Sequence, residues 1–124
     1  GNQVLLGKRK GSHATGEYSF CGGHLEYREG FIECAQREAR EECGIEIHNV
    51  HFQMVANIDT YAPKHYVQIG LVAHWKAGTP TVLEPHKCES WAWYPLDNLP
   101  QPMSHMALQI FESYKTNQNF IDKQ

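Results

Sequence analysis

The sequence predicts a mixed α/β (α+β) layered fold, and three observations carry that expectation. The stretch Phe31–Cys43 reads as a helix and is stopped by Gly44, in the usual place just past a helix end. Runs on either side, Tyr66–Trp75 above all, alternate apolar and polar residues as half-buried strands do. The chain has 124 residues, 41% hydrophobic and 20% charged, which suits one compact domain, residues 1–124, around one core.

The elements follow in order. Val4–Leu6 reads as a short strand entering a basic turn, Gly7–Lys10, and Gly11–Gly16 as a loop. Tyr18–Cys21 is a short strand ended by Gly22-Gly23. After the helix, Val50–Tyr61 forms a strand with Pro63 in the turn behind it. Tyr66–Trp75 places Val67, Ile69, Leu71 and Ala73 on one face. Gly78–Lys87 is a loop; Ser90–Tyr94 is a strand with Trp91 and Trp93 on one side, read as core. His105–Tyr114 is an amphipathic helix with Met106, Ile110 and Tyr114 at helical spacing, and the polar tail from Thr116 is expected to fray. One dominant helix among strands implies layered packing of helix on sheet.

Composition narrows the functions. The net charge is -3 with neutral histidines, a poor match for gripping long nucleic acid through its phosphates. Cys21, Cys34, Cys43 and Cys88 form no C-x-x-C pair, which speaks against structural zinc and for free thiols in a reducing cytosol. Cys34 and Cys43 read as packing residues. No apolar run approaches the roughly 20 residues that span a bilayer.

On a helical wheel of Phe31–Cys43, Ile32, Ala35, Ala39 and Cys43 share one arc, the expected buried stripe. Glu38, Glu41 and Glu42 share the neighbouring arc, with Arg37 and Arg40 pointing elsewhere. Three acids so placed repel one another by about a few tenths of a kcal/mol per pair. They also occupy the last turns, where the helix dipole favours cations. A hard divalent cation, Mg2+ or Mn2+, relieves both penalties and brings phosphate oxygens with it. An isolated acidic run would be only a solvated helix face; the surrounding spacing tips the balance.

Gly23, five residues, Glu29, seven residues, then Arg37-Glu38-Ala39-Arg40-Glu41-Glu42-Cys43-Gly44-Ile45 resembles the Nudix box at every fixed position. The flanking Leu5–Ser12, Gly22–Tyr27, Asn49–Phe52, His65–Val67 and Glu84–Trp93 look like the nucleoside triphosphate pyrophosphatases of the MutT-homologue-2 type, up to about Pro102. The resemblance implies an α/β/α sandwich with a mixed sheet and a catalytic loop–helix–loop. It implies metal ligation by Glu38 and Glu42, Glu41 as a further ligand or base, and the Gly22 carbonyl in the metal shell. Glu29 and Arg37 would pin the loop to the helix, Arg9 would meet phosphate, and Glu89, expected in the loop before the Trp91 strand, is the other candidate base. His24 would face substrate.

The implied activity is metal-dependent cleavage of a nucleoside triphosphate to monophosphate and pyrophosphate. The alternatives are another diphosphate (a nucleotide sugar, ADP-ribose or a prenyl diphosphate) or a non-catalytic binding domain. The implied partner is a small phosphorylated molecule, with no nucleic acid polymer and no membrane; a homodimer and a cytoplasmic location complete the expectation. No P-loop and no nucleophile triad stands in the sequence. Three departures from the family bear on substrate: Cys21 stands where proline is usual, Met103-Ser104-His105 replaces an apolar–aromatic cluster near the base, and the further strand that relatives have before Val4 is expected to be missing or truncated here.

Overall fold

A computed structural model describes residues 2–11 and 15–123; residues 12–14, within the loop expected over Gly11–Gly16, lie outside the described residues. The elements run β1 (Gln3–Arg9), β2 (Tyr18–Ser19), α1 (Phe31–Cys43), β3 (Glu46–Ile58), β4 (Tyr66–Ala77), β5 (Cys88–Pro95), α2 (His105–Thr116) and β6 (Phe120–Ile121). They form two three-stranded sheets, ordered β2-β1-β5 and β4-β3-β6. The first is antiparallel; the second is mixed, because β6 runs parallel to β3.

Alternation along the strands builds the layers. On β1, Val4 and Leu6 pack with Met103 and Ala107 on the α2 side, while Leu5 turns the other way to Ala39, Cys43 and Ile45 at the end of α1. On β3, Met54, Ala56 and Ile58 meet Met106 and Ile110, while Ile47 joins the α1 cluster. The sheets therefore lie between the two helices, as an α/β/α sandwich requires.

Several local expectations are corrected. Lys8 and Arg9 complete β1 instead of forming a turn, and Glu89 is the second residue of β5, not a loop residue. The tail does not simply fray: β6 pairs with Val55 and Ala56, and the Asn119 carbonyl accepts from Val55 N–H at 3.0 Å. On β4 the inward face is Tyr66, Gln68 and Gly70, and Val67 is 72% exposed. The reason is close approach to α2. A Cβ on Gly70 would stand 2.7 Å from Met54 Sδ and 3.2 Å from Ile110 Cγ1, so this side of the strand has no room for a branched side chain there.

The same geometry shapes the helices. The inward residues of α2 are Ala107 and Ser113, with Met106 and Ile110 beside them, so Tyr114 is exposed. Ser104 caps α2 by accepting from Ala107 N–H at 3.1 Å. On α1 the buried stripe is Ala39, Glu42 and Cys43; Ile32, in the first turn, is exposed. Trp91 packs on the end of α1 as expected, while Trp93 lies outside that cluster and is exposed.

Candidate active site

The ends of α1 are fixed. Gly30 N–H donates to Glu33 Oε1 at 2.8 Å, and Gly44 adopts φ 67°, a left-handed conformation that glycine enters without strain. The Cys43 carbonyl, free within the helix, accepts from Thr81 N–H at 2.9 Å.

The loop before α1 folds back onto it through Arg37. Its Nε donates to Glu29 Oε2 at 2.7 Å and Nη2 to Glu29 Oε1 at 3.1 Å, a bidentate pair. Nη2 also donates to the His24 carbonyl at 3.1 Å, and Nη1 reaches Glu38 at 2.7 Å and Glu41 at 3.0 Å. The wheel expectation that Arg37 points elsewhere is therefore corrected. A wheel gives Cα directions, and the guanidinium arm is long enough to swing back over residues one and four places on. Arg37 holds the Glu29 carboxyl down to about 2, and the Arg37 guanidinium is itself raised. Glu26 shares the arrangement: its N–H donates to Glu29 Oε1 at 3.0 Å, and its carboxylate lies 3.6 Å from Arg37. Glu26 belongs to no fixed position of the box, so sequence reasoning missed it.

The three helix acids separate by environment. Glu41 is 55% exposed and engaged with Arg37; the Glu38 side chain is 14% exposed; Glu42 is buried at 8%. Burial is the main cause that pushes the Glu42 carboxyl up to about 7, and the neighbouring Glu38 adds to it. Gly22 N–H, donating to Glu42 Oε1 at 3.1 Å, and the Arg9 charge pull the other way. Gly22, in the loop before α1, thus stands at this carboxylate.

Gly23 is fixed by close approach. A Cβ there would lie 2.4 Å from Glu38 Cδ and Oε1, inside the carboxylate itself. Gly23→Ala must push Glu38 aside, and a displacement of about 1 Å costs a reacting geometry on the order of a hundredfold. We expect that loss in magnesium-dependent turnover with an unchanged circular dichroism spectrum; full turnover would show that Glu38 has no fixed part.

The remaining candidates lie further out. Glu89 is half exposed and pairs with Lys8 at 3.9 Å, which ties it to β1 and not to α1. The His24 ring is exposed and lies nearly parallel to Tyr66, with centroids 6.4 Å apart. The Cys21 thiol, beside Gly22, hydrogen-bonds Cys43, which with burial pushes it well up; all four cysteines are free.

Among the described residues, no three His, Cys, Asp or Glu side chains converge as a ready cation cage. The donor chemistry nevertheless fits a hard divalent ion at Glu38 and Glu42. Two adjacent carboxylates are shielded from water, and burial with the neighbouring Glu38 pushes the inner one, Glu42, up toward neutrality. Glu41, turned to Arg37, is not gathered with them.

A family model for the NUDIX domain matches residues 1–114. This chain is a Nudix protein. A MutT NUDIX hydrolase from Burkholderia pseudomallei superposes with a TM-score of 0.84 at 33% identity, over 90% of this chain and 88% of that one. The NUDIX domain of Shewanella oneidensis NrtR, solved with ADP ribose, superposes at 0.79 with 18% identity, over 93% of this chain and 77% of that one, a likeness of fold alone. An NAD-capped RNA hydrolase NudC of Stutzerimonas stutzeri is 36% identical over 100 residues, 81% of this chain but 34% of the relative. The chain thus spans about a third of the curated relative it matches. Among the described residues, no helix is long and apolar enough to cross a membrane.

Proposed function

We propose that this Nudix chain hydrolyses the phosphoanhydride of a nucleoside triphosphate, releasing the monophosphate and pyrophosphate with the aid of Mg2+ or Mn2+. The observation that carries the reading is the Glu38–Glu42 carboxylate pair, held in place by Arg37 and the Gly22–Glu29 loop. A phosphoanhydride resists water because its own negative oxygens repel an incoming hydroxide. A divalent ion bound by Glu38 and Glu42, with the Gly22 carbonyl as a further ligand, would neutralise those oxygens and acidify a water. The chain supplies the rest. Arg9, which already acts on Glu42 through its charge, meets a phosphate with its fork of donors. Glu41 or Glu89 takes the proton from the attacking water, and both are exposed enough to do so. Glu29 and Arg37 hold the loop and helix in register, and His24 faces the substrate.

The second reading is a dinucleotide-type diphosphate such as ADP-ribose or NAD, favoured by the NudC relative's name. The four free thiols favour a reducing compartment, the cytoplasm. A homodimer rests on family resemblance and is read by sedimentation.

The test is a panel of nucleoside triphosphates, nucleotide sugars, ADP-ribose and NAD, with and without magnesium. Pyrophosphate released from a triphosphate supports the first reading. Cleavage restricted to the dinucleotide and sugar substrates replaces it with the second. Metal binding without any turnover refutes both.

A further inference from the structure

The open end of the β3–β4 hairpin carries histidines on one face. His48 on β3 stands directly opposite His74 on β4, with ring centroids 6.3 Å apart and planes inclined at 66°. His51 joins them through an irregularity in β3. His48 pairs with His74 and His51 with Val72, so Asn49 and Val50 together face the single residue Ala73. That count is a β-bulge, and it brings two residues three apart in sequence onto the same side of the sheet. Without the extra residue His51 would point to the other side, because side chains alternate along a strand. Asn49 makes the bend at φ 52°, a left-handed conformation that asparagine tolerates.

The three residues are exposed, and their nitrogens are placed to accept a ligand. His51 Nδ1 lies 3.2 Å from the Asn49 carbonyl. A carbonyl only accepts, so Nδ1 holds the proton and Nε2 keeps the lone pair. Histidines that ligate metals are commonly oriented in this way. Among the described residues, the His48 and His74 rings make no hydrogen bond or ion pair. The strand beneath His74 is fixed, since Trp75 Nε1 donates to the Gly78 carbonyl at 2.8 Å. Ile47, one residue before His48, packs against Ala39 and Cys43, so His48 faces away from the carboxylates of α1.

The spacing suits a shared ion. Zinc lies about 2.0–2.1 Å from an imidazole nitrogen, which puts two rings on one ion about 5–6 Å apart between centroids, within about 1 Å of the spacing here. Exposed side chains cover such a shift by small rotations. Imidazole suits zinc, copper and nickel, whereas magnesium seeks oxygen.

We propose that His48 and His74 chelate one borderline divalent transition-metal ion, zinc in the first place, with His51 as a third imidazole within reach on the same face. The ion clips the open end of the hairpin, whose other end is closed by the chain between Ile58 and Tyr66. The site uses no cysteine and is separate from the Glu38–Glu42 pair.

The test is calorimetric titration with zinc of the parent protein, His48→Gln, His74→Gln and His51→Gln. Loss of a group that merely orients a metal ligand costs about ten- to a hundredfold in affinity, so His48→Gln and His74→Gln should each weaken binding at least about tenfold. His51→Gln should weaken it to a smaller extent. Copper(II) in place of zinc should show two coordinated nitrogens or more by electron paramagnetic resonance, and fewer in His48→Gln and His74→Gln. Zinc should raise the melting temperature of the parent more than that of these two variants, because an ion that binds only the folded state stabilises it. No zinc binding, or binding that survives His48→Gln or His74→Gln unweakened, overturns the proposal. Ions held by the carboxylates or the thiols give that second result, so they are not mistaken for this site.

Discussion

Glu42→Gln is expected to lose about a hundredfold or more of magnesium-dependent turnover, the range associated with removing a proton-transfer or charge-bearing group from a reacting centre. The amide keeps the size of the carboxyl and can still accept from Gly22 N–H, so the contact at 3.1 Å survives and the fold with it. What disappears is one negative charge beside Glu38, and with it the attraction for a divalent ion. A second readout separates this from unfolding. In the metal-free protein the Glu42 carboxyl is raised from 4.5 to about 7, chiefly by burial. The folded state therefore holds a proton that the unfolded chain releases. Stability from this group is complete below about 4.5 and is lost as pH rises through 7, leaving an ionised buried carboxylate that costs on the order of 3 kcal/mol. With chelator present, Glu42→Gln should melt at a higher temperature than the parent at pH 8, and the difference should vanish near pH 4.5. Magnesium should raise the parent's melting temperature at pH 8 and leave the variant's nearly unchanged. A variant that melts lower than the parent at pH 8 without metal would show that Glu42 is not a strained charge.

The motif spacing made the carboxylate helix legible in the sequence, because a helix converts fixed intervals into fixed directions. Phe31–Cys43 and its stop at Gly44 match the structure for that reason. The division of labour among the acids was not legible. Whether a glutamate is buried depends on what packs over it, and Glu42 is covered by the loop at Gly22 while Glu41 is not. Arg37 shows the same limit, since a wheel cannot follow a side chain that folds back on its own helix. On β4 the alternation was read correctly and the face wrongly. Val67 and Ile69 are the more apolar residues, but close approach of Met54 and Ile110 at Gly70 decides which side turns inward. Tyr66 lies on that inward side, so its place beside His24 emerged only from the tertiary structure.

Arg37→Lys is the second substitution with a large expected effect, because it keeps the charge and removes the geometry. The guanidinium spans Glu29 with two nitrogens while reaching the His24 carbonyl, Glu38 and Glu41. A lysine offers three donors from one nitrogen and cannot cover groups on the loop and the helix together. Groups that orient metal ligands typically contribute ten- to a hundredfold, so turnover in Arg37→Lys should fall by about that factor, and in Arg37→Ala by more. If charge alone mattered, lysine would restore most of what alanine loses. The structural share is read separately through pH. Glu29 sits at about 2 in the folded protein against 4.5 ordinarily, with Arg37 as the leading cause. A depressed carboxylate stabilises the fold above its ordinary value and loses that contribution as pH falls from 4.5 toward 2. The melting-temperature gap between the parent and Arg37→Ala should therefore be full at pH 6 and shrink across that acid window. A gap independent of pH would mean that Arg37 acts through packing, and the loop would owe its position to Gly30, Glu33 and the fit of Gly23 against Glu38 instead.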